Sequence, residues 1–547
     1  MKTVLQSIVL LIFSISTSSA QITFQKTYGS SNLEEGTSVL ALADGYLITG
    51  STSSFGSGGK DIFTMKTDLS GVELWSHVYG GSLDDEAFSL QPTFDGGFII
   101  AGVTYSYVGP SLQDYSNIYL IKIDNSGNYL WSKTINSGGL DAAYSIKETD
   151  DHGFIITGYT GSFVSGPDNL LVVKTDSAGT TQWTKILGSA SNSVDIGRSV
   201  IQKRDGGYAV AGFSTAFSTP GDTSTFLAIL NPAGNLLFTR HIAITNLGTQ
   251  FPSPQTSAYD IIQNTDGNLV VAGAVGGING GVVFIAHSFL MLTDSIGNYI
   301  SAKFYGFGTG HDRVQSVHQT PDGGYLCGGF MGNYYPMMFK TNNLLTKQWC
   351  FLYGNYNAPG NISHGQGFSA ALTPDSGFVI TGYNLVNQGK RIHLIKTDSI
   401  GQSGCNQALP NFSGLGQPAV VTNIAGTVFS FGSSNYNDVT STYSNITFAD
   451  SNLCISTGVN EFDYVNFTAT VYPNPVNEEI TIKYSIHESE KINCAIYTSS
   501  GKLVFVFEFP GNKNSFNLNT SNLPSGIYQL KMYGASGNSN IKFAVIH

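Results

Sequence analysis

Charge is scarce in this chain. Of its 547 residues only 12% are Asp, Glu, Lys or Arg, about half the share of an ordinary soluble domain, so Ser, Thr, Asn and Gly have to cover the surface. The 26 Lys and Arg are outnumbered by 37 Asp and Glu and form no basic run. That excludes a phosphate-backbone partner, and with it nucleic acid. Cysteine occurs five times, at Cys327, Cys350, Cys405, Cys454 and Cys494; no CxxC and no Cys/His ligand spacing is present, which excludes the usual zinc sites. Stretches rich in Ala, Leu, Glu and Lys are short, against a helical protein. Missing too are HExxH, GxSxG, a phosphate-binding GxxxxGK loop and an EF-hand loop. Neither a cofactor nor a metal is expected.

Glycine and aromatic residues are plentiful instead, at 64 residues and 12%, a composition suited to short strands joined by tight turns. A phrase of the form Asp-Gly-Gly-aromatic, or close to it, that closes on a later glycine recurs seven times: Asp44 to Gly50, Asp95 to Gly102, Asp151 to Gly158, Asp205 to Gly212, Asp266 to Gly273, Asp322 to Gly329 and Asp375 to Gly382. A second phrase follows each copy, as in Asp68, Gly71 and Trp75, then Asp124, Gly127 and Trp131, then Asp176, Gly179 and Trp183. All four tryptophans fall at this one repeat position. Asp and Gly in these places are turn chemistry, and the alternating runs between them read as four strands per unit. Four strands of this length, repeated without a helix, predict an all-β, seven-bladed β-propeller over residues 21–407, with the Trp ring packed between neighbouring blades.

The last unit lacks its fourth strand. Ile22 to Gly29 supplies a match, aligning Phe24 with Trp75 and Tyr28 with Tyr79, so the N-terminal strand is expected to close the last blade. Ahead of it, Lys2, the apolar run Ile8 to Phe13 and Ser18-Ser19-Ala20 form the pattern of a signal peptide over residues 1–20. Export permits a disulfide, and Cys405 with Cys454 is the expected pair.

Two sets of residues are candidates for ligand binding. Glu34, Asp85, Asp141, Asp195 and Asp312 each stand four residues before a serine at the start of a first strand. They read either as carboxylates capping turns or as a ring of acceptors for a cation or polyhydroxyl ligand. Tyr105, Tyr107 and Tyr115, with Tyr334 and Tyr335, lie in the loops of variable length after the second strand, where rings suit stacking on sugars or a protein partner. His311 and His364 occupy equivalent loops and read as turn residues.

From residue 408 the period is lost. Residues 408–465 are polar and read as a linker or capping segment; residues 466–547 alternate as a small Ig-like β-sandwich. Within it, Tyr472-Pro473-Asn474-Pro475, then Gly501 after Tyr497-Thr498-Ser499-Ser500, then Gly526-Ile527-Tyr528 with Lys531, resemble the type A C-terminal sorting domain of the Bacteroidetes type IX secretion system. The resemblance implies that a folded cargo crosses the outer membrane through that machinery to the cell surface or medium. The expected function is an exported binding or adhesion protein with a carbohydrate or protein ligand on the propeller. A polysaccharide-acting hydrolase or lyase is the alternative, requiring a close pair of carboxylates with one pKa raised; a structural spacer without a small ligand is another.

Overall fold

The computed structural model of the chain describes residues 21–547 apart from 31, 109–114, 137–138, 162–167, 188–192, 216–222, 243–253, 280–281, 307–311, 333–334, 355–364, 387–388, 406, 409–434, 440–441, 447–448, 457–468, 485–490, 499–502, 511–514 and 535–536. The expected signal peptide, Tyr334, Gly501, His311 and His364 lie outside the described residues. Secondary structure among the described residues is strand without helix. It separates into two compact units, residues 21–457 and residues 458–547.

In the larger unit each repeat forms one antiparallel meander. The first runs Glu34–Leu42, Gly45–Thr52, Asp61–Thr67 and Glu73–Gly80 in hydrogen-bonded order. Equivalent sheets begin at Asp85, Asp141, Asp195, Pro254, Arg313 and Gly365; they are called sheets 1 to 7 below. Sheet 7 takes its fourth strand from Thr23–Gly29, which pairs with Gly389–Thr397 in the register Phe24 to Lys396 and Tyr28 to Ile392. The first strands are innermost, and each touches the first strand of the next sheet until sheet 7 meets sheet 1.

Turn chemistry explains the meander. The Asp-Gly-Gly aspartate caps its own turn and also holds a buried lysine at the end of the third strand, as in Asp95 with Lys122 at 2.9 Å and Asp151 with Lys174 at 2.9 Å. Burial pushes the Asp95 carboxyl up, but Thr93, Lys122 and the Gly97 N–H outweigh it and bring it down to about 2. Adjacent sheets then interlock through the second phrase. Gly127 has φ of 82° and an added Cβ would lie 2.5 Å from the Trp75 ring, so only glycine lets the turn of sheet 2 lie flat on that indole. The tyrosine four residues beyond repeats the contact: Tyr79 donates to Gly127 O at 2.8 Å, Tyr353 to Gly401 O at 2.7 Å, and Tyr28, at the splice, to Gly71 O at 2.6 Å. Between sheets the cores are apolar; Leu47, Ile62 and Tyr79 pack with Leu90, Ile100 and Tyr119, each contributing roughly 1.5–3 kcal/mol.

Part of the segment read as a linker or capping segment is outer strand. Gln407–Ala408 pairs with sheet 6, Asn435–Val439 with sheet 2, Thr442–Ile446 with sheet 1 and Ala449–Ser456 with the N-terminal strand of sheet 7. These additions cover edges that would otherwise offer unpaired backbone groups. Cys405 is disulfide-bonded, whereas Cys327, Cys350 and Cys494 are free and buried.

The C-terminal unit has a three-stranded sheet, Ala469–Tyr472, Glu479–Tyr484 and Ser515–Asn519, and a four-stranded sheet ordered Leu503–Pro510, Lys491–Thr498, Gly526–Gly534 and Gly537–Val545. Ile480, Ile482 and Val476 share one core with Ile496, Leu530 and Phe543. Asn474 fixes the Tyr-Pro-Asn-Pro turn to the last strand by accepting from Ala544 N at 2.9 Å and donating to Lys542 O at 3.3 Å. Tyr472 is exposed and lies under Lys483 at 5.0 Å. Tyr528 donates to Pro524 O at 2.7 Å, and Lys531 lies over Tyr497 at 5.3 Å.

Candidate functional site

Every first strand carries a bulge just before its repeat serine, at Ser38, Ser89, Ser145, Ser199, Ser316 and Ser369. The fifth sheet breaks the rule with Asp260 at this position. The serines tie sheet to sheet. Ser89 Oγ accepts from Ile146 N at 3.3 Å, Ser145 Oγ from Val200 N at 3.3 Å, Ser316 Oγ from Ala370 N at 2.9 Å and Ser369 Oγ from Val39 N at 3.3 Å. Asp260 does the same for Val317 N at 2.8 Å, and its other oxygen accepts from Ser199 Oγ at 2.8 Å and Ile261 N at 2.9 Å. Both carboxylate oxygens are thereby engaged by the fold.

The extra residue of each bulge is half-buried, and along sheets 2 to 5 these residues are Phe88, Tyr144, Arg198 and Tyr259. They stack in sequence around the inner strands. Phe88 and Tyr144 lie 5.2 Å apart, and the Arg198 guanidinium lies 4.0 Å over Tyr144 and 5.8 Å from Tyr259. Arg313 adds a second cation 5.7 Å from Tyr259. Neither arginine has a hydrogen-bond or ion-pair partner among the described residues, and Arg198 Nε is buried without an acceptor. Further along the same strands stand Lys147 and His318, two residues past Ser145 and Ser316. Burial lowers the Lys147 ammonium and Asp260 opposes it. His318 is lowered by burial, against the pull of Asp260 and of a hydrogen bond to the Ala370 backbone, with Lys147 adding to the lowering. Sheets 3, 5 and 6 are not all neighbours, so these mutual influences act across the space that the inner strands enclose.

The acidic set found in the sequence occupies other ground. Glu34, Asp85, Asp141, Asp195 and Asp312 are all buried. Asp85 accepts from Gly81 N at 2.7 Å and Ser106 Oγ at 2.8 Å, Glu34 from Ser30 N at 3.2 Å, and Asp195 from Ser193 Oγ at 3.0 Å. At sheet 1 the partner across the junction is Asp61, where sheets 2 and 3 begin their third strands with Asn117 and Asn169. An added Cβ on Gly80 would lie 1.8 Å from Asp61 Oδ1 and 2.9 Å from Asp85 Oδ2, so the two carboxyls press on one glycine. Burial, then the Asp85 charge, push Asp61 up to about 7 despite N–H groups of Ser57 and Gly58. Asp61 is 1% exposed and Asp85 0%, out of reach of a polymer.

Among the tyrosines, Tyr107 is committed to the fold, donating to Gly80 O at 2.7 Å and packing 5.6 Å from Tyr119. Tyr115 is 37% exposed, while Tyr105 and Tyr335 are half-buried. Tyr105 neighbours Tyr159, itself 5.9 Å from Tyr144, which links it to the bulge stack. Sequence reasoning missed Arg198, Tyr144, Tyr259, Lys147, Asp260 and His318. The available signal was Asp260 in a column of serines.

Residues 470–546 match the family described as secretion system C-terminal sorting domain. No curated protein matches the chain. Solved structures similar to it include a polysaccharide lyase Uly1, at 10% identity and TM-score 0.41 over 68% of this chain and 91% of that one. Sqt1 from Chaetomium thermophilum is similar at 10% identity and TM-score 0.37, over 68% of this chain and 85% of that one. A GH43_12 protein from a capybara gut metagenome is similar at 10% identity and TM-score 0.30, over 96% and 95%.

Proposed function

We propose that this chain, whose residues 470–546 form a secretion system C-terminal sorting domain, is an exported saccharide-binding protein acting at the cell surface or outside it. The sheets of residues 21–457 are read as a seven-bladed propeller with the bulge stack lining its channel, and the C-terminal unit as an Ig-like sandwich delivering it to the type IX machinery. Cys454, in register with Gln25, is assigned as the disulfide partner of Cys405, whose carbonyl accepts from Gln25 Nε2 at 2.7 Å.

The observation that carries the binding reading is the half-buried Arg198 guanidinium, 4.0 Å over Tyr144 and without a hydrogen-bond or ion-pair partner among the described residues. A half-buried cation with no protein partner leaves its remaining N–H groups to solvent or to a ligand. Flanking rings give a sugar a stacking surface. The hydrolase alternative needs a reachable carboxylate pair, and the close pair here, Asp61 with Asp85, is buried. The test applies mature protein, residues 21–547, to a panel of immobilised polysaccharides and assays each for reducing ends and unsaturated products. Binding without products, lost in Tyr144→Ala, is the expected result. Product formation would move the assignment to the hydrolase or lyase, and retention of full binding in Tyr144→Ala would remove the channel from the account.

A further inference from the structure

We infer that the saccharide taken by this channel is acidic, its anionic group held by the Arg198 guanidinium and drawn inward by Lys147. The inference rests on the channel-binding reading above and adds the chemistry of the ligand.

Charge distribution carries it. The chain as a whole has net charge −11, yet the inner strands of sheets 3, 4 and 6 place Lys147, Arg198 and Arg313 with no ion-pair or hydrogen-bond partner among the described residues. Asp260 is the acid set against them, and its oxygens already accept from Ser199, Ile261 and Val317. Asp260 acts on Lys147, while Arg198 and Arg313 have no carboxylate at ion-pair distance among the described residues. Guanidinium groups left without a paired carboxylate in a chain that is acidic overall attract an anionic ligand locally. The form of the site adds selectivity. Tyr144 and Tyr259 flank the guanidinium, leaving its two terminal nitrogens for a bidentate contact that carboxylate and sulfate both satisfy. The rings of Tyr144 and Tyr259 beside it offer a stacking face to the hydroxyl-bearing sugar. Hydroxyls beside an anionic group describe a uronate or a sulfated sugar.

Calorimetric titration of mature protein with tetragalacturonate, dextran sulfate and maltotetraose tests this. Expected are binding of at least one acidic probe at least about tenfold tighter than maltotetraose, weakening with added salt, and a loss of about tenfold or more for that probe in Arg198→Gln. Arg198→Lys should recover part of the loss, because charge returns without the fork. The stronger acidic probe identifies carboxylate or sulfate as the recognised group. Lys147→Met, at a half-buried residue without a hydrogen-bond or ion-pair partner among the described residues, should keep the wild-type melting temperature while losing affinity for the acidic probe alone. Equal binding of maltotetraose, lost in Tyr144→Ala, would overturn the acidic inference and leave the channel reading standing. Acidic-probe affinity unchanged in both Arg198→Gln and Lys147→Met would overturn the inference, and so would failure of every acidic probe to bind.

Discussion

Replacing Asp61 by Asn should stabilise the protein, and only above mildly acidic pH. In the unfolded chain this carboxyl titrates near 3.8, whereas burial and the neighbouring Asp85 raise it to about 7 in the fold. A raised acid leaves stability intact below the unfolded value and removes it as pH climbs toward the folded one. Each pH unit between about 4 and 7 should therefore cost about 1.4 kcal/mol, reaching about 4 kcal/mol above pH 7. Asn117 and Asn169, which begin the corresponding third strands, show that the repeat accommodates an amide here. Urea unfolding of wild type and Asp61→Asn at pH 4.5 and pH 8 reads the effect. The variant should gain little at the lower pH and of order 3–4 kcal/mol at the higher. An equal effect at both pH values, or a loss at pH 8, would refute the shared-junction argument.

Three further outcomes are expected. Gly127→Ala, at φ of 82° with the Trp75 ring 2.5 Å from the new Cβ, should cost about 2–4 kcal/mol by calorimetry. Gly96→Ala has the same φ and nothing within 4 Å, and should cost only about 1–2 kcal/mol; equal losses would remove the indole contact from the account. Cys405→Ser and Cys454→Ser should each lose roughly 2–4 kcal/mol and the double variant no more than either, whereas additive losses would reject the pairing. Removing residues 470–547 should leave the remainder folded in the periplasm, and undiminished surface delivery on cell fractionation would contradict the sorting role.

Much of the fold was legible because it repeats. Turn glycines, the Trp position and Tyr28 at the splice are local signals copied in each unit, and the structure pairs Thr23–Gly29 with the last sheet as the alignment of Phe24 and Tyr28 implied. The outer strands of residues 435–456 were not legible, since an added edge strand takes its hydrogen bonds from a distant sheet and needs no apolar alternation of its own. Asp85 and its counterparts were found because they recur, and they recur because each meets its junction at the start of an inner strand. The bulge stack escaped for the opposite reason. Phe88, Tyr144, Arg198 and Tyr259 share a position but not a chemistry, and they become neighbours only when the sheets stand side by side. Asp260 was visible as the break in the serine column; what it faced, Lys147 and His318 on other sheets, was not.

A crystal structure of mature protein grown with the acidic saccharide that binds it most tightly would locate the ligand. The anionic group is expected on the Arg198 guanidinium, with a sugar ring against Tyr144 or Tyr259. Saccharide bound only on the outer strands or on the C-terminal unit, with Arg198 untouched, would contradict it.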